Sequence, residues 1–290
     1  MQALHRFGTA LSVRLSAAFL FGSLLAVTAC SPARVGVEID DMGVPQDLTV
    51  RPPRPDLAPP PVYDFALPDV HVVITADNAY AFGFGFADRV TKLNGRPKTV
   101  VAGDIFNCPI GVGPEAYDIP AAEAPESSYL YIVAWADDAV TEGVLGQFER
   151  SGTPLYTGDA NWQVCATGQF YDPGPAGGGP TLDVVNQELA RCNTAAGSPT
   201  TSSAGWVSTT GAVTPGAIGN LAVGEDNSSP DGDFPIVCQK DAMGQRGIDS
   251  GARWMWYSPD GKSPFRYTGG KNPTRTFLIF RLPSRVVVIG

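Results

Sequence analysis

The sequence predicts a mostly β protein: an antiparallel, jelly-roll-like sandwich with one short helix, preceded by a disordered tether. Short runs rich in β-branched and aromatic residues recur between turn signals, as in HVVITA, YLYIVAWA, NWQVCAT, ARWMWY and RTFLIFRL. Glycine and proline are abundant, at 33 and 26 residues, whereas long helical periodicity is scarce. Many short strands separated by turns are typical of an antiparallel sandwich.

Residues 1–29 are predicted to be an export signal and not part of the fold. A basic start is followed by the apolar run LSAAFLFGSLLAV, which is too short for a membrane-spanning helix. The run leads into VTAC, which resembles the lipobox of bacterial lipoproteins, and this resemblance implies that Cys30 is lipidated. An ordinary secretory signal that ends near a cysteine is the alternative. Because Ser31 and not Asp follows Cys30, we expect the outer membrane or cell surface in preference to the inner membrane.

Residues 30–62 are predicted to be a Pro-rich tether. The segment is rich in Pro, Asp and small residues and ends in RPPRPDLAPPPV. Proline holds a chain extended and cannot donate to a strand ladder, so a polyproline-like spacer is favoured. At about 3.1 Å per residue it would hold the next domain some tens of ångströms from the lipid. Residues 63–290 show no second linker as clear and are predicted to form a single β-sandwich domain.

Local signals place the helix and two turns within that domain. The segment DVVNQELARCN has Val185 and Leu189 at helical spacing, and Thr181 precedes it as a predicted N-cap. The sequences Ser258-Pro259-Asp260-Gly261 and Asn94-Gly95 predict turns, because proline and glycine supply the backbone angles that turns require.

The stretch NAYAFGFGFAD, residues 78–88, alternates aromatic with small residues. In a strand one face would carry Tyr80, Phe82, Phe84 and Phe86, and the other face would carry alanine and glycine. We expect the aromatic face to lie in the core, because large rings at alternate positions bury area efficiently. The glycines at 83 and 85 should allow another backbone segment to approach closely.

The cysteines fit an exported protein. Apart from Cys30 there are four, Cys108, Cys165, Cys192 and Cys238, and an even number in an oxidising compartment predicts two disulfides with three possible connectivities. Pairing of neighbours in sequence, Cys108–Cys165 and Cys192–Cys238, is the favoured expectation. A zinc site would require closely spaced cysteine pairs, which the sequence lacks.

Charge and composition exclude several function classes. Without the signal, 18 basic and 29 acidic residues give a formal net charge of −11, and such a surface repels nucleic acid. His71 is the sole histidine after the signal, which excludes multi-histidine metal sites. Neither a G-x-S-x-G nucleophile motif nor a phosphate-binding P-loop is present. Carboxylate-based hydrolysis is the catalytic chemistry that is left, and an enzyme is not expected.

One acidic segment suggests calcium. In GEDNSSPDGDF, residues 224–234, the side chains of Asn227, Asp231 and Asp233 offer the hard oxygen ligands that calcium prefers. Cys238, however, stands where an EF-hand loop needs its bidentate glutamate. A solvated turn without metal is the favoured alternative, so a structural calcium ion is a minor expectation and no other cofactor is expected.

At three places the sequence resembles galactose-binding-like β-sandwich domains. ITADNAYAFGFG looks like their D-N-x-Y strand, and YLYIVAWADDAVTEGVLGQF is similar to a later strand and its return. ARWMWY and RTFLIFRLP resemble segments that normally open such domains but come last here, which implies a circular permutation. The chain also resembles exported bacterial lipoproteins that carry the D-N-x-Y, G-E-D-N and A-R-W-M-W phrases. These resemblances imply a fold and not an activity.

A small set of residues carries the binding hypothesis. Exposed aromatic rings stack on sugars, so Trp206, Trp254 and Trp256 are candidates, and Asp77 and Asn78 match the D-N-x-Y motif. A core role is favoured for Trp254 and Trp256, and Trp206 is the most loop-like. The predicted function is a lipid-anchored envelope protein whose non-catalytic sandwich binds a glycan or a protein partner. A purely structural envelope protein and a carboxylate-dependent carbohydrate hydrolase are the alternatives.

Overall fold

The computed structural model describes residues 67–77, 79–95, 114–135, 141–170, 179–194, 197, 203–228, 232–239, 247–266 and 276–286. The predicted signal and all of the predicted tether, including Cys30, lie outside these residues, as do Asn78, Cys108 and Asp231. The proposed boundaries 1–29, 30–62 and 63–290 therefore stay predictions. Among the described residues, no helix has the length and apolarity that crossing a membrane requires.

Within the described residues the chain is mostly β, as predicted. The strands are β1 Val70–Asp77, β2 Ala79–Phe86, β3 Arg89–Asn94, β4 Glu115–Ile119, β5 Tyr129–Trp135, β6 Gly143–Arg150, β7 Thr153–Tyr156, β8 Gln163–Phe170, β9 Val207–Ser208, β10 Gly211–Ala212, β11 Asn220–Asp226, β12 Arg253–Ser258 and β13 Thr276–Pro283. One α-helix, α1 Leu182–Thr194, accompanies them. The prediction of a sandwich with one short helix is confirmed.

The strands of this described part form two antiparallel sheets. The first sheet has the order β11-β12-β6-β1-β4, and β7 pairs with β6 outside this order. The second sheet has the order β10-β9-β8-β13-β5-β2-β3. The two sheets enclose one buried cluster, and a second cluster fills the space between the second sheet and α1. Because the second sheet is covered on both faces, its strands read as nearly continuous apolar runs such as YLYIVAW.

The alternating stretch in β2 is buried as predicted on its aromatic face. Tyr80, Phe82 and Phe84 lie in the cluster between the sheets, each with at most 2% exposure, whereas Phe86 at the strand end is 38% exposed. A β-bulge between β2 and β3 falls at Phe84 and Gly85. A Cβ atom on Gly83 would lie 1.9 Å from the Lys92 carbonyl oxygen, and one on Gly85 would lie 2.1 Å from the Arg89 oxygen. The predicted close approach of a second backbone is confirmed.

The helix begins and packs as the sequence predicts. The Thr181 side-chain oxygen accepts a hydrogen bond from the Val184 backbone N–H at 3.3 Å, which is the expected N-cap contact. Val185 and Leu189 are fully buried against the second sheet. At the predicted turn positions, Gly95 and Gly261 have φ values of +69° and +79°, which favour glycine. The residues after Gly95 are not described, so the turn at Asn94-Gly95 stays a prediction.

The favoured disulfide pairing is wrong. Cys165 in β8 is bonded to Cys192 in α1, across 27 residues of sequence, and not to Cys108. The reason is tertiary: α1 packs on the outer face of the second sheet, where both cysteines are fully buried in the same cluster. Cys238 is also disulfide-bonded, so its predicted partner Cys192 is excluded.

Candidate functional site

Two of the predicted binding tryptophans are core residues. Trp254 and Trp256 in β12 are 1% and 2% exposed. The Trp254 ring stacks on Phe234 with centroids 3.9 Å apart and an interplanar angle of 13°, and Trp256 packs against Phe280. These contacts confirm the core interpretation and leave neither ring available to a surface ligand.

Trp206 lies outside the strands, directly before β9, as expected of a loop residue, but its ring is buried. It is 1% exposed, and its Nε1–H donates to the Asn193 side-chain oxygen at 2.8 Å. The guanidinium carbon of Arg281 lies 3.8 Å from the ring centroid and covers its face. Trp206, Trp254 and Trp256 are therefore all buried, and none of the three rings presents an exposed face on which a sugar could stack.

Asp77, a binding candidate, has a structural role. It is 4% exposed at the end of β1, and its Oδ2 accepts a hydrogen bond from the Thr141 hydroxyl at 2.6 Å. This bond ties the end of β1 to the segment that precedes β6. Asn78, the second residue of the motif, lies outside the described residues.

The acidic segment at 224–234 is organised by its own side chains. Asn227 is 1% exposed, its side-chain oxygen accepts the Val237 N–H at 2.8 Å, and its amide donates to Val237 and Ile248 carbonyls. Asp233 is half-buried, and its N–H donates to the Glu225 carboxylate at 3.1 Å. In the described part of the chain, no three His, Cys, Asp or Glu side chains group closely enough to hold a metal ion. The calcium site stays a prediction, because Asp231 is not described.

A cleft of about 410 Å³ lies along β7, and we call it the β7 cleft. Its walls come from residues 153–159, from Gly251 and Arg253 at the start of β12, and from Val286 after β13. Strand pairing creates part of this arrangement, because β6 pairs with both β7 and β12 and so brings residues 153–159 close to residues 251–253. The volume is in the range of small-ligand sites in proteins.

A half-buried tyrosine ring forms part of the wall of the β7 cleft. The Tyr156 hydroxyl donates to the Asp249 carboxylate at 3.3 Å, which fixes the direction of the ring. Burial, followed by the nearby Asp249 charge, raises the pKa of Tyr156, so its phenol stays neutral. A Cβ atom on Gly251 would lie 2.9 Å from the ring, so glycine at this position lets the loop pass close beside it.

Two opposite charges stand at the same cleft. Asp159 accepts the Asn161 backbone and side-chain N–H groups at 2.9 Å through Oδ1, and its Oδ2 has no partner among the described residues. Arg253 is exposed and donates from Nε to the Gly224 carbonyl at 2.9 Å, which leaves both of its Nη groups without a described partner. The cleft thus combines an apolar ring, a free acceptor and free donors, which together suit a ligand with hydroxyl groups and an apolar face. Its lining includes one carboxylate, whereas glycoside hydrolysis commonly uses two.

A second polar cluster joins the two sheets. The Tyr80 hydroxyl in β2 donates to the Glu115 carboxylate in β4 at 2.6 Å and lies 3.2 Å from the Tyr117 hydroxyl. Burial raises the pKa of Glu115 to about 7, although the hydrogen bond from Tyr80 opposes part of this shift. No second carboxylate hydrogen-bonds to these three side chains within the described residues.

The residues of the β7 cleft were not predicted from the sequence. Tyr156, Asp159, Gly251 and Arg253 belong to segments about 90 residues apart and form no local motif. One local sequence feature marks this site: Gly158, whose φ is +86°, is followed directly by Asp159. The binding candidates predicted from the sequence were tryptophans, and their large rings lie in the core.

Comparisons of the chain with protein-family models, with curated proteins and with solved structures give no match. The described part of the chain has the architecture of a β-sandwich of two antiparallel sheets, which is compatible with a galactose-binding-like domain.

Proposed function

We propose that this chain is an exported, lipid-anchored envelope protein whose galactose-binding-like sandwich binds a glycan in the β7 cleft without catalysing a reaction. The supporting observation is that the cleft combines the Tyr156 ring with the unpartnered Oδ2 of Asp159 and the exposed guanidinium of Arg253. Sugar rings present apolar C–H faces together with hydroxyl groups, so they match such a lining. The signal and tether predicted for residues 1–62 would display this cleft away from the lipid.

The Tyr156→Ala variant tests the cleft. We expect binding to the best ligand of a neutral-glycan array to fall by at least about tenfold, because loss of a stacked aromatic ring removes roughly 1.4 kcal/mol. Isothermal titration with that oligosaccharide measures the change. The Tyr156→Phe variant is the matched control: it keeps the ring, loses the bond to Asp249, and should retain most of the affinity.

Three results would count against the cleft proposal. If the array shows no bound glycan, the purely structural envelope protein becomes the better hypothesis. If Tyr156→Ala binds as the wild type does, the glycan lies elsewhere on the molecule. If an oligosaccharide is cleaved and the cleavage is lost on one Asp or Glu substitution, the carbohydrate hydrolase is correct.

The lipid anchor has its own test. The Cys30→Ser variant of the full chain, expressed in a bacterial host, is expected to incorporate no fatty-acid analogue, because the thiol that would carry the lipid is gone. Gel fluorescence after metabolic labelling measures this. The Ser31→Ala variant should be labelled as the wild type is. Labelling of Cys30→Ser at the wild-type level would refute the assignment.

A further inference from the structure

A half-buried arginine on the outer face of the second sheet has no acidic partner. Arg281 in β13 lies between Tyr131 of β5 and Gln163 of β8 in the strand register. Its Nε donates to the Gln163 side chain at 2.8 Å and its Nη1 donates to the Asn193 side chain at 3.1 Å. Both acceptors are neutral amides, and no carboxylate of the described residues forms an ion pair with Arg281.

Two hydrogen bonds and the Trp206 ring hold the Arg281 guanidinium in place, and one of its nitrogens has no partner among the described residues. Its plane covers the buried Trp206 ring at 3.8 Å, and its carbon lies 5.6 Å from the centroid of the Tyr129 ring. Its third nitrogen, Nη2, has no hydrogen-bond partner in the described part of the chain and is not buried. Burial lowers the pKa of Arg281, as expected for a cation without a compensating anion.

A shallow cleft beside Arg281 supplies further unpaired donors. About 410 Å³ in volume, it is lined by residues 126–129, Pro283 and Arg285. The Tyr129 hydroxyl has no hydrogen-bond partner within the described ranges and is accessible. Arg285 is exposed and pairs with no described carboxylate. Pro283 stands opposite Tyr129 in the register, so Arg281 lies near the Tyr129 ring and Arg285 lines the same cleft as this tyrosine. Glu126 is the acidic side chain in this lining.

We propose that Arg281, Tyr129 and Arg285 form a carboxylate-binding site for an acidic glycan that contains uronic acid residues. Arginine presents a planar fork that fits a carboxylate, and charge-assisted hydrogen bonds of this kind are stronger than neutral ones. In a uronate the carboxylate is attached directly to the sugar ring, so the negative charge lies beside an apolar C–H face. Arg281 and the adjacent Tyr129 ring offer the complementary pair of groups at 5.6 Å.

The acidic character of the whole chain does not prevent such binding. The formal net charge is −9, so the global field repels anions at long range. At physiological ionic strength the screening length is about 8 Å, and a ligand in contact with two unpaired guanidinium groups responds mainly to them. This surface is therefore selective for ligands that reach the arginines directly.

The probe is a short galacturonate oligosaccharide, titrated into the folded chain by calorimetry. The matched probe is the same oligosaccharide with its carboxyl groups reduced to primary alcohols. We expect the acidic form to bind at least about tenfold more tightly than the reduced form, and the difference to shrink at high salt. Equal affinities for the two probes would overturn the proposal.

Three variants locate the site. Arg285→Gln changes an exposed, unpaired side chain, so it should leave the melting temperature unchanged and weaken binding of the acidic probe by about fivefold. Arg281→Lys keeps the charge but loses the fork, and should weaken binding by about tenfold. Lys262→Gln is the control, because Lys262 is an exposed cation paired with Asp260 at 3.0 Å, and it should bind normally. Wild-type affinity in Arg285→Gln and in Arg281→Lys would overturn the assignment.

A glutamate-rich peptide tests whether the bound carboxylate belongs to a glycan or to a protein. If the peptide binds as tightly as the galacturonate, the carboxylate comes from a protein partner and the glycan assignment is wrong. The inference rests on the proposed function because it takes the ligand to be a glycan, but different results would refute the two proposals. If Tyr156→Ala still binds the acidic probe and no neutral glycan binds, only the β7 cleft proposal is refuted. If Tyr156→Ala loses binding of the neutral glycan, and the acidic probe binds no more tightly than the reduced probe, only the Arg281 site is refuted.

Discussion

Replacing Gly83 or Gly85 by valine is expected to lower the free energy of unfolding by about 3 kcal/mol or more. The first atom of the new side chain would lie 1.9 Å from the Lys92 oxygen or 2.1 Å from the Arg89 oxygen. These are backbone atoms of β3, so the strand pair itself must move, and the core rings on the opposite face of β2 would move with it. Urea denaturation under non-reducing conditions measures the loss.

The matched control separates the clash from the general effect of substituting a strand glycine. Gly83→Ala and Gly146→Ala add the same methyl group inside a strand, but at Gly146 the nearest backbone oxygen is 3.1 Å away. Gly146→Ala should therefore change stability by less than about 1 kcal/mol, since alanine is otherwise preferred to glycine in regular structure. A Gly83→Val protein of wild-type stability would show that β3 does not pack against β2 at this distance.

Unfolding stability should fall as pH rises from about 4.5 through about 7, because of Glu115. The pKa of this carboxyl is raised from 4.5 to about 7 by burial, so the folded state holds its proton more tightly than the unfolded state does. The stabilisation from the protonated form is complete below pH 4.5 and is lost above about pH 7. The full shift corresponds to about 3 kcal/mol, and solvent screening of a half-buried group reduces it to about 1–2 kcal/mol.

The Glu115→Gln variant tests this pH dependence. A neutral amide can still accept the hydrogen bond from Tyr80 and does not ionise. At pH 8 the variant should be more stable than the wild type by about 1–2 kcal/mol, and at pH 4.5 the two should be similar. Glu123→Gln, which removes an exposed partner of Lys92, is the control and should keep the wild-type slope. An unchanged slope in Glu115→Gln would assign the pH dependence to other groups.

Local sequence patterns predicted the elements of this fold well. The two-residue period of β2 identified the face that carries Tyr80, Phe82 and Phe84, because strand side chains alternate between faces. Proline, glycine and a threonine cap marked the helix and the turns, since those residues act through their own backbone angles or their nearest N–H groups. Each of these signals depends on contacts within a few residues.

Contacts between distant segments were the ones that the sequence did not predict. Trp206 follows a Ser- and Thr-rich segment, yet Arg281 and Asn193 bury it. Cys165 pairs with Cys192 because a helix packs on the second sheet, whereas pairing the cysteines two by two in sequence order assigns Cys108 to Cys165. Asn227 was a candidate metal ligand, and its oxygen instead accepts a backbone N–H ten residues away.

The sequence by itself determined a mostly β chain, the face of β2 that enters the core, and the glycines against which β3 packs. It also supports the predictions of export and lipidation, which depend on residues 1–30. The tertiary structure alone decided the disulfide partner, the burial of Trp206, and both clefts. The physical reason is that alternation and capping are properties of neighbouring residues. The β7 cleft and the Arg281 site depend instead on which distant strands pair, here with β6 and β13. The disulfide depends on the packing of α1 against the second sheet.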